Sequence, residues 1–228
     1  MSLCKEPVAC VCVEANVTHT DESKSIERIT TEGVYHFMVG LPSGATPREM
    51  EAIQRNKIID SLLQLKPKDD DIIIISDIDE VPRARQINLF KPQVEFAALI
   101  MDKYGYYLNW LESAQSWDRA RIMSWHYLKD KEPEAVRNSG YDFSLHHAGW
   151  HWSYLWNRAH QKLKTFSHQE LNNEANHEAV TAKENFWSGE KLKRIELDLS
   201  HPEWLLKNEI TFAHLIDNPS FKYIYESI

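Results

Sequence analysis

The sequence predicts an α/β fold: a mixed sheet flanked by helices, with an aromatic-rich second half. Three observations carry this expectation. Residues 72–75 are four consecutive isoleucines, a β-branched run without polar alternation, as expected of a central strand covered on both faces. Ahead of it, Ile53, Ile58, Leu62 and Leu65 share one broad helical face within residues 48–65, with charged residues opposite. Beyond residue 95, aromatic side chains crowd into short runs that read as mixed or antiparallel strands.

The elements follow in order. Residues 8–13 are dense in valine and cysteine and predict a buried strand, ending in the polar stretch Glu14-Ala15-Asn16. Residues 34–39 predict a second strand. Gly40 to Gly44 form a loop, and Pro47 suits a first helical turn. Strands are expected over 96–101, 104–110, 119–127 and 150–156, with helices over 133–138, 175–186 and 204–206. The order divides one compact domain, 1–228, at about residue 95.

A chain of 228 residues with 43 % hydrophobic content can bury one substantial core. Its formal net charge of −8, with scattered Lys and Arg, gives no footprint for nucleic acid. No stretch reaches the roughly 20 apolar residues of a membrane span. Cys4, Cys10 and Cys12 lie close together in an odd number, poor material for a disulfide framework, and read as reduced, buried small hydrophobes of a cytoplasmic protein. No nucleophile elbow, P-loop or zincin motif is present.

The informative segment is Asp70-Asp71-Ile72-Ile73-Ile74-Ile75-Ser76-Asp77-Ile78-Asp79-Glu80-Val81-Pro82-Arg83. The apolar strand delivers carboxylates at its carboxyl end, the edge where open α/β sheets bind ligands. Asp77 and Asp79 are two apart, so an extended backbone points both to one side. A turn there brings Asp79 or Glu80 to a divalent cation. Mn2+ or Mg2+ suits oxygen ligands, bridges carboxylates to a diphosphate and stabilises the charge of a leaving nucleoside diphosphate. The plainer reading is a solvated strand end, since a bare Asp-x-Asp carries little by itself.

The segment 71–83 resembles the acidic motif of glycosyltransferase family 17, the family of the bisecting N-acetylglucosamine transferases. Further stretches resemble the same family in order: Val13-Glu14-Ala15-Asn16-Val17-Thr18, Gln54-Arg55-Asn56, Ala148-Gly149-Trp150-His151-Trp152-Ser153-Tyr154, and Leu205-Leu206-Lys207-Asn208 through Asn218-Pro219. The resemblance implies a GT-A-like, Rossmann-type fold, a UDP-sugar donor (N-acetylglucosamine the expected sugar), and an inverting transfer that makes a β linkage to a glycan hydroxyl. Asp77 and Asp79 match the acidic signature and Glu80 its extension. Glu14 and Asn16 match the first strand-end motif, and Trp150, His151 and Ser153 the aromatic one. On this view the half before residue 95 binds donor and metal, and the half after it the acceptor. The membrane anchor of the animal members is missing, which suits a relative from a microbe or a virus-infected cell.

Other candidates complete the expected site. His151 and His168 are rivals as further metal ligands beside Asp77 and Asp79. Strand alternation puts Trp150, Trp152, Tyr154 and Trp156 on one face and His151 on the other. Lys162 and Arg55 can meet donor phosphates, and Glu14, Asn16 and Asp77 join them as expected donor-binding residues; the plainer readings are a charged helix surface for Lys162 and a surface ion pair for Arg55. Glu170 or Glu112 is the expected general base. The rival readings are a non-catalytic carbohydrate-binding protein, suggested by the Trp and Tyr content, and, more remotely, a glycoside hydrolase.

Overall fold

The structure, a computed structural model, describes residues 9–17, 29–155, 158–165 and 168–218. Cys4, Thr18, Trp156 and Pro219 lie outside the described residues. Strands β1 (Cys10–Ala15) and β2 (Val34–Val39) pair in parallel. Helix α1 (Pro47–Leu65) follows for a local reason. Thr46 and Glu49 form a reciprocal capping box, Pro47 sets the first turn, and Lys66 closes the helix with a left-handed backbone at φ 53°.

Next come β3 (Ile72–Ile75), β4 (Glu80–Pro82), α2 (Ala84–Ile87), β5 (Phe96–Leu99), β6 (Met101–Gly105), β7 (Trp110–Trp117) and β8 (Arg121–Ser124). The chain continues through α3 (Trp125–Leu128), α4 (Pro133–Asn138), β9 (Ser144–Leu145), β10 (Gly149–Ser153) and α5 (Ala159–Thr165). Then come α6 (Glu174–Thr181), β11 (Lys193–Arg194), α7 (Glu203–Lys207) and a short 3-10 turn at Ala213–Leu215.

Apart from the parallel β1–β2 pair there are two sheets among the described residues, and both are mixed, as expected. One runs β3-β8-β5-β9 and the other β11-β7-β6-β10-β4. Within them β5–β9 and β6–β10 are parallel and the remaining pairs antiparallel. Both draw strands from either side of residue 95, because β3 pairs with β8 and β4 with β10.

The isoleucine run needs a correction. β3 is not central: it closes one end of its sheet and pairs antiparallel with β8, and Ile72 is 40 % exposed. Its composition still has a physical cause. Ile73 and Ile75 join the cluster formed by Leu62, Met123, Trp125 and Leu128, while Ile74 joins the opposite one around Leu99, Met101 and Ile122. Alternate side chains therefore feed two cores.

Three other expectations shift. The strand expected over 104–110 straddles a corner, since Tyr106 takes φ 66° between β6 and β7. The strand expected over 119–127 stops at Ser124, whose Oγ accepts from Tyr127 N–H and starts α3. Cys10 is exposed and Cys12 only half-buried, both free thiols, so the cysteines at this strand are not core groups. Among the described residues no helix is long and apolar enough to cross a membrane.

Candidate functional site

Between β3 and β4 the chain makes a turn. Glu80 N–H donates to the Asp77 carbonyl at 3.0 Å, and Ile78 at the tip is 93 % exposed. Asp77 and Asp79 therefore do not lie on an extended strand, and their carboxylates go to different partners. Asp77 meets Arg137 Nη2 at 2.7 Å and Arg55 Nη2 at 3.4 Å. Asp79 meets Lys162 Nζ at 3.3 Å and faces His151 Nε2 at 3.8 Å.

The turn is pinned from several directions. The Asp79 carbonyl accepts from Trp152 N–H at 2.9 Å. Glu80 turns inward, where its carboxylate accepts from Arg137, from Trp117 Nε1 at 2.5 Å and from Asp77 N–H at 2.9 Å. That carboxylate is spent as a brace. β4 lies against β10 with Gly149 opposite Pro82 and His151 opposite Glu80. Position 149 admits only glycine: a Cβ there would press into the Val81 carbonyl oxygen.

Strand β10 sorts its side chains as alternation demands. Trp150 and Trp152 are buried, stacked at 5.9 Å, in the core with Tyr104 and Leu205. They are not available as sugar-binding walls. Tyr154 leaves their row. Its backbone is left-handed at φ 57°, and its ring joins Tyr106 and Phe186 in a separate cluster. On the other face His151 stacks on Trp117 at 4.1 Å and reaches Ser153 Oγ at 3.3 Å.

Burial, aided by the Lys162 and Lys103 charges, pushes the His151 imidazole down to about 3, so the ring is neutral at physiological pH. Burial alone would also lower the Lys162 ammonium, but Asp79 and Tyr154 outweigh it, and Lys162 is held above its ordinary value as a firm cation. Its Nζ also sits 4.6 Å over the Tyr154 ring.

Gln54, Arg55 and Asn56 fan out from α1 to three elements, as consecutive helical residues do. Gln54 donates to the Val13 carbonyl of β1 at 3.0 Å. Arg55 holds Glu51, Glu134 and Asp77 together. Asn56 accepts from Glu134 N–H of α4 at 2.9 Å. Arg55 is 9 % exposed and bound to three carboxylates. Glu14 is 3.2 Å from His36 Nε2, and Asn16 lies exposed just beyond the end of β1.

The two candidate bases sit differently. Glu112 is buried and paired with Lys103 at 2.9 Å, lining a cavity with Ser153, Tyr154 and Asn185. Glu170 is solvent-accessible, 2.9 Å from His168 Nδ1 and 3.9 Å from Arg48, and the His168 hydrogen bond lowers its pKa. His168 hydrogen-bonds Glu170 and packs T-shaped against Trp187.

Among the described residues no group of three or more His, Cys, Asp and Glu side chains stands ready to hold a metal ion. The donor chemistry nevertheless suits one. A neutral imidazole facing a carboxylate is a mixed nitrogen–oxygen pair of the kind Mn2+ accepts. Asp77 offers less, with an arginine on each oxygen.

Arg137, Trp117 and Trp187 went unseen in the sequence. Arg137 sits 57 positions from Glu80 and Trp117 sits 37 away, and no local pattern connects such pairs.

A fold alone does not fix a reaction. Here comparison with family models supplies the class: an enzyme of the glycosyltransferase type. The chain belongs to glycosyltransferase family 17, whose model matches residues 9–216, nearly all of the site just described. Comparison with curated proteins and with solved structures found no match.

Proposed function

We propose that the protein transfers a sugar, N-acetylglucosamine the first candidate, from a UDP-sugar to a glycan hydroxyl with inversion, giving a β linkage. The observation that carries this reading is the acidic turn braced against β10, with Asp79 presented between Lys162 and His151.

Asp79 and His151 would hold Mn2+ or Mg2+, which supplies Lewis-acid stabilisation of the leaving diphosphate. Lys162 adds a fixed positive charge beside the same carboxylate, suited to phosphate oxygens. Arg55 and Arg137 fix Asp77 and so the turn, which makes Arg55 a positioning residue. Glu14 and Asn16, at the end of β1, suit the nucleoside; β1 is tied to α1 by Gln54, which donates to the Val13 carbonyl, and α1 to the turn by Arg55. Glu170, the solvent-reachable candidate, takes the acceptor proton as the hydroxyl attacks the anomeric carbon and the carbon–oxygen bond to the diphosphate breaks. Placement in the cytoplasm is part of the same proposal and rests on the free thiols of β1.

The test is turnover of UDP-N-acetylglucosamine and other nucleotide sugars over a panel of glycans, with and without Mn2+, by wild type and Asp79→Asn. UDP release matched by acceptor-linked sugar, and lost in Asp79→Asn at unchanged Tm, is expected. Glycan binding without donor consumption would make the protein a carbohydrate-binding module instead. Cleavage of a glycan without any nucleotide donor would make it a hydrolase.

A further inference from the structure

Trp187 carries an indole that is 51 % exposed, on a loop held by the side chains of Asn185 and Ser188. Buried Asn185 accepts from Trp187 N–H at 2.7 Å and from Ser188 N–H at 3.2 Å. The loop closes on itself through Asn185 N–H to the Glu190 carbonyl at 2.8 Å. Such a loop presents a large apolar surface in one orientation without burying it.

The position is tied to the acidic turn by consecutive contacts. Trp187 Nε1 donates to the Tyr154 hydroxyl at 3.3 Å, Lys162 Nζ lies over the Tyr154 ring, and the same Nζ meets Asp79. Phe186 stacks beside the indole at 6.0 Å, and His168, which holds Glu170, packs against it T-shaped at 5.2 Å. A flat apolar face therefore adjoins a rim of hydroxyl, imidazole and carboxylate.

That combination matches a pyranose ring, which has apolar C–H faces and a polar rim of hydroxyl groups. A rigid indole offers contact area at low entropic cost, and aromatic anchors of this kind carry much of the energy at binding surfaces. We propose that Trp187 is the platform on which a sugar ring of the acceptor glycan stacks, its hydroxyls directed to His168 and Glu170. The assignment rests on the transferase reading, and it places the acceptor on the Glu170 side of Lys162.

The experiment compares wild type, Trp187→Ala and Trp187→Phe. A printed glycan array is first probed for protein binding and for transfer from UDP-sugars, and the best acceptor is carried into kinetics. Trp187→Ala is expected to raise acceptor KM about tenfold or more while UDP affinity, read by calorimetry, stays as in wild type. Trp187→Phe should recover part of the loss, because a smaller ring keeps a stacking face. Equal acceptor KM in wild type and a folded Trp187→Ala overturns the platform. Wild-type glycan binding that weakens in Trp187→Ala, without transfer from any donor, retains the platform and sinks the transferase reading. Neither binding nor transfer sinks both.

Discussion

Arg137 and Glu80 form a buried ion pair beneath the acidic turn, with Nη1 and Oε2 2.9 Å apart and neither side chain more than 4 % exposed. Removing one partner strands the other charge without solvent, at a cost of roughly 3–5 kcal/mol. Arg137→Ala and Glu80→Gln should both lower stability to denaturant by about that amount. Asp79→Asn, at a partly open carboxylate, should leave the unfolding midpoint nearly unchanged while abolishing turnover. If Glu80→Gln is as stable as wild type, the inward carboxylate is not a brace.

Gly149 lets β10 approach β4 closely enough for His151 to lie opposite Glu80. A methyl group at this position must move backbone rather than a flexible side chain. Gly149→Ala is expected to cost about 1–3 kcal/mol, as overpacking does, and to reduce turnover by displacing the turn. Gly140, where an added Cβ meets nothing, is the control. Thermal unfolding of the two alanine variants side by side makes the comparison.

His151 gives stability a dependence on pH. Its folded pKa of about 3 lies below the ordinary 6.5, so between these values the unfolded chain binds more protons than the folded one. Stability contributed by the neutral ring is complete above pH 6.5 and is lost as the pH falls toward 3, at a slope approaching ~1.4 kcal/mol per pH unit. The difference between wild type and His151→Gln in denaturant titrations from pH 7 to about pH 4 isolates this contribution. A pH-independent difference would mean that the folded ring titrates normally.

Glu170 and Glu112 should separate by what their loss damages. Glu170→Gln is expected to reduce kcat by roughly 10²- to 10⁴-fold without unfolding the protein. Glu112→Gln breaks the buried pair with Lys103 and should act chiefly on stability. Single-turnover rates and melting temperatures on the same preparations distinguish the two. A Glu112→Gln variant that melts like wild type but does not turn over would transfer the base to Glu112.

Local physics made much of the frame legible. Pro47 and the period of residues 48–65 anticipate α1, and the alternation in β10 correctly sends the Trp150 and Trp152 indoles one way and the His151 imidazole the other. Four isoleucines in a row identified a doubly covered strand but not its place in the sheet. Coverage depends on what packs on a face, whereas sheet order depends on distant partners such as β8. The spacing of Asp77 and Asp79 suggested carboxylates on one side, but the hydrogen bond from Glu80 N–H to the Asp77 carbonyl bends that stretch and separates them. Trp187 could not be chosen among eight tryptophans by sequence, because exposure is decided by the loop that Asn185 organises.

Strand β10 serves two masters with one five-residue segment, buried throughout, its indoles on one face and its imidazole on the other. A single inserted or deleted residue there would turn the segment inside out, driving an imidazole into oily packing and swinging indoles toward the acidic turn. Length changes should consequently be rare between Gly149 and Ser153 in natural variants. The hairpin-like stretch around Trp187, closed by the Glu184–Lys191 bridge, carries no such frame, so its length is freer to vary.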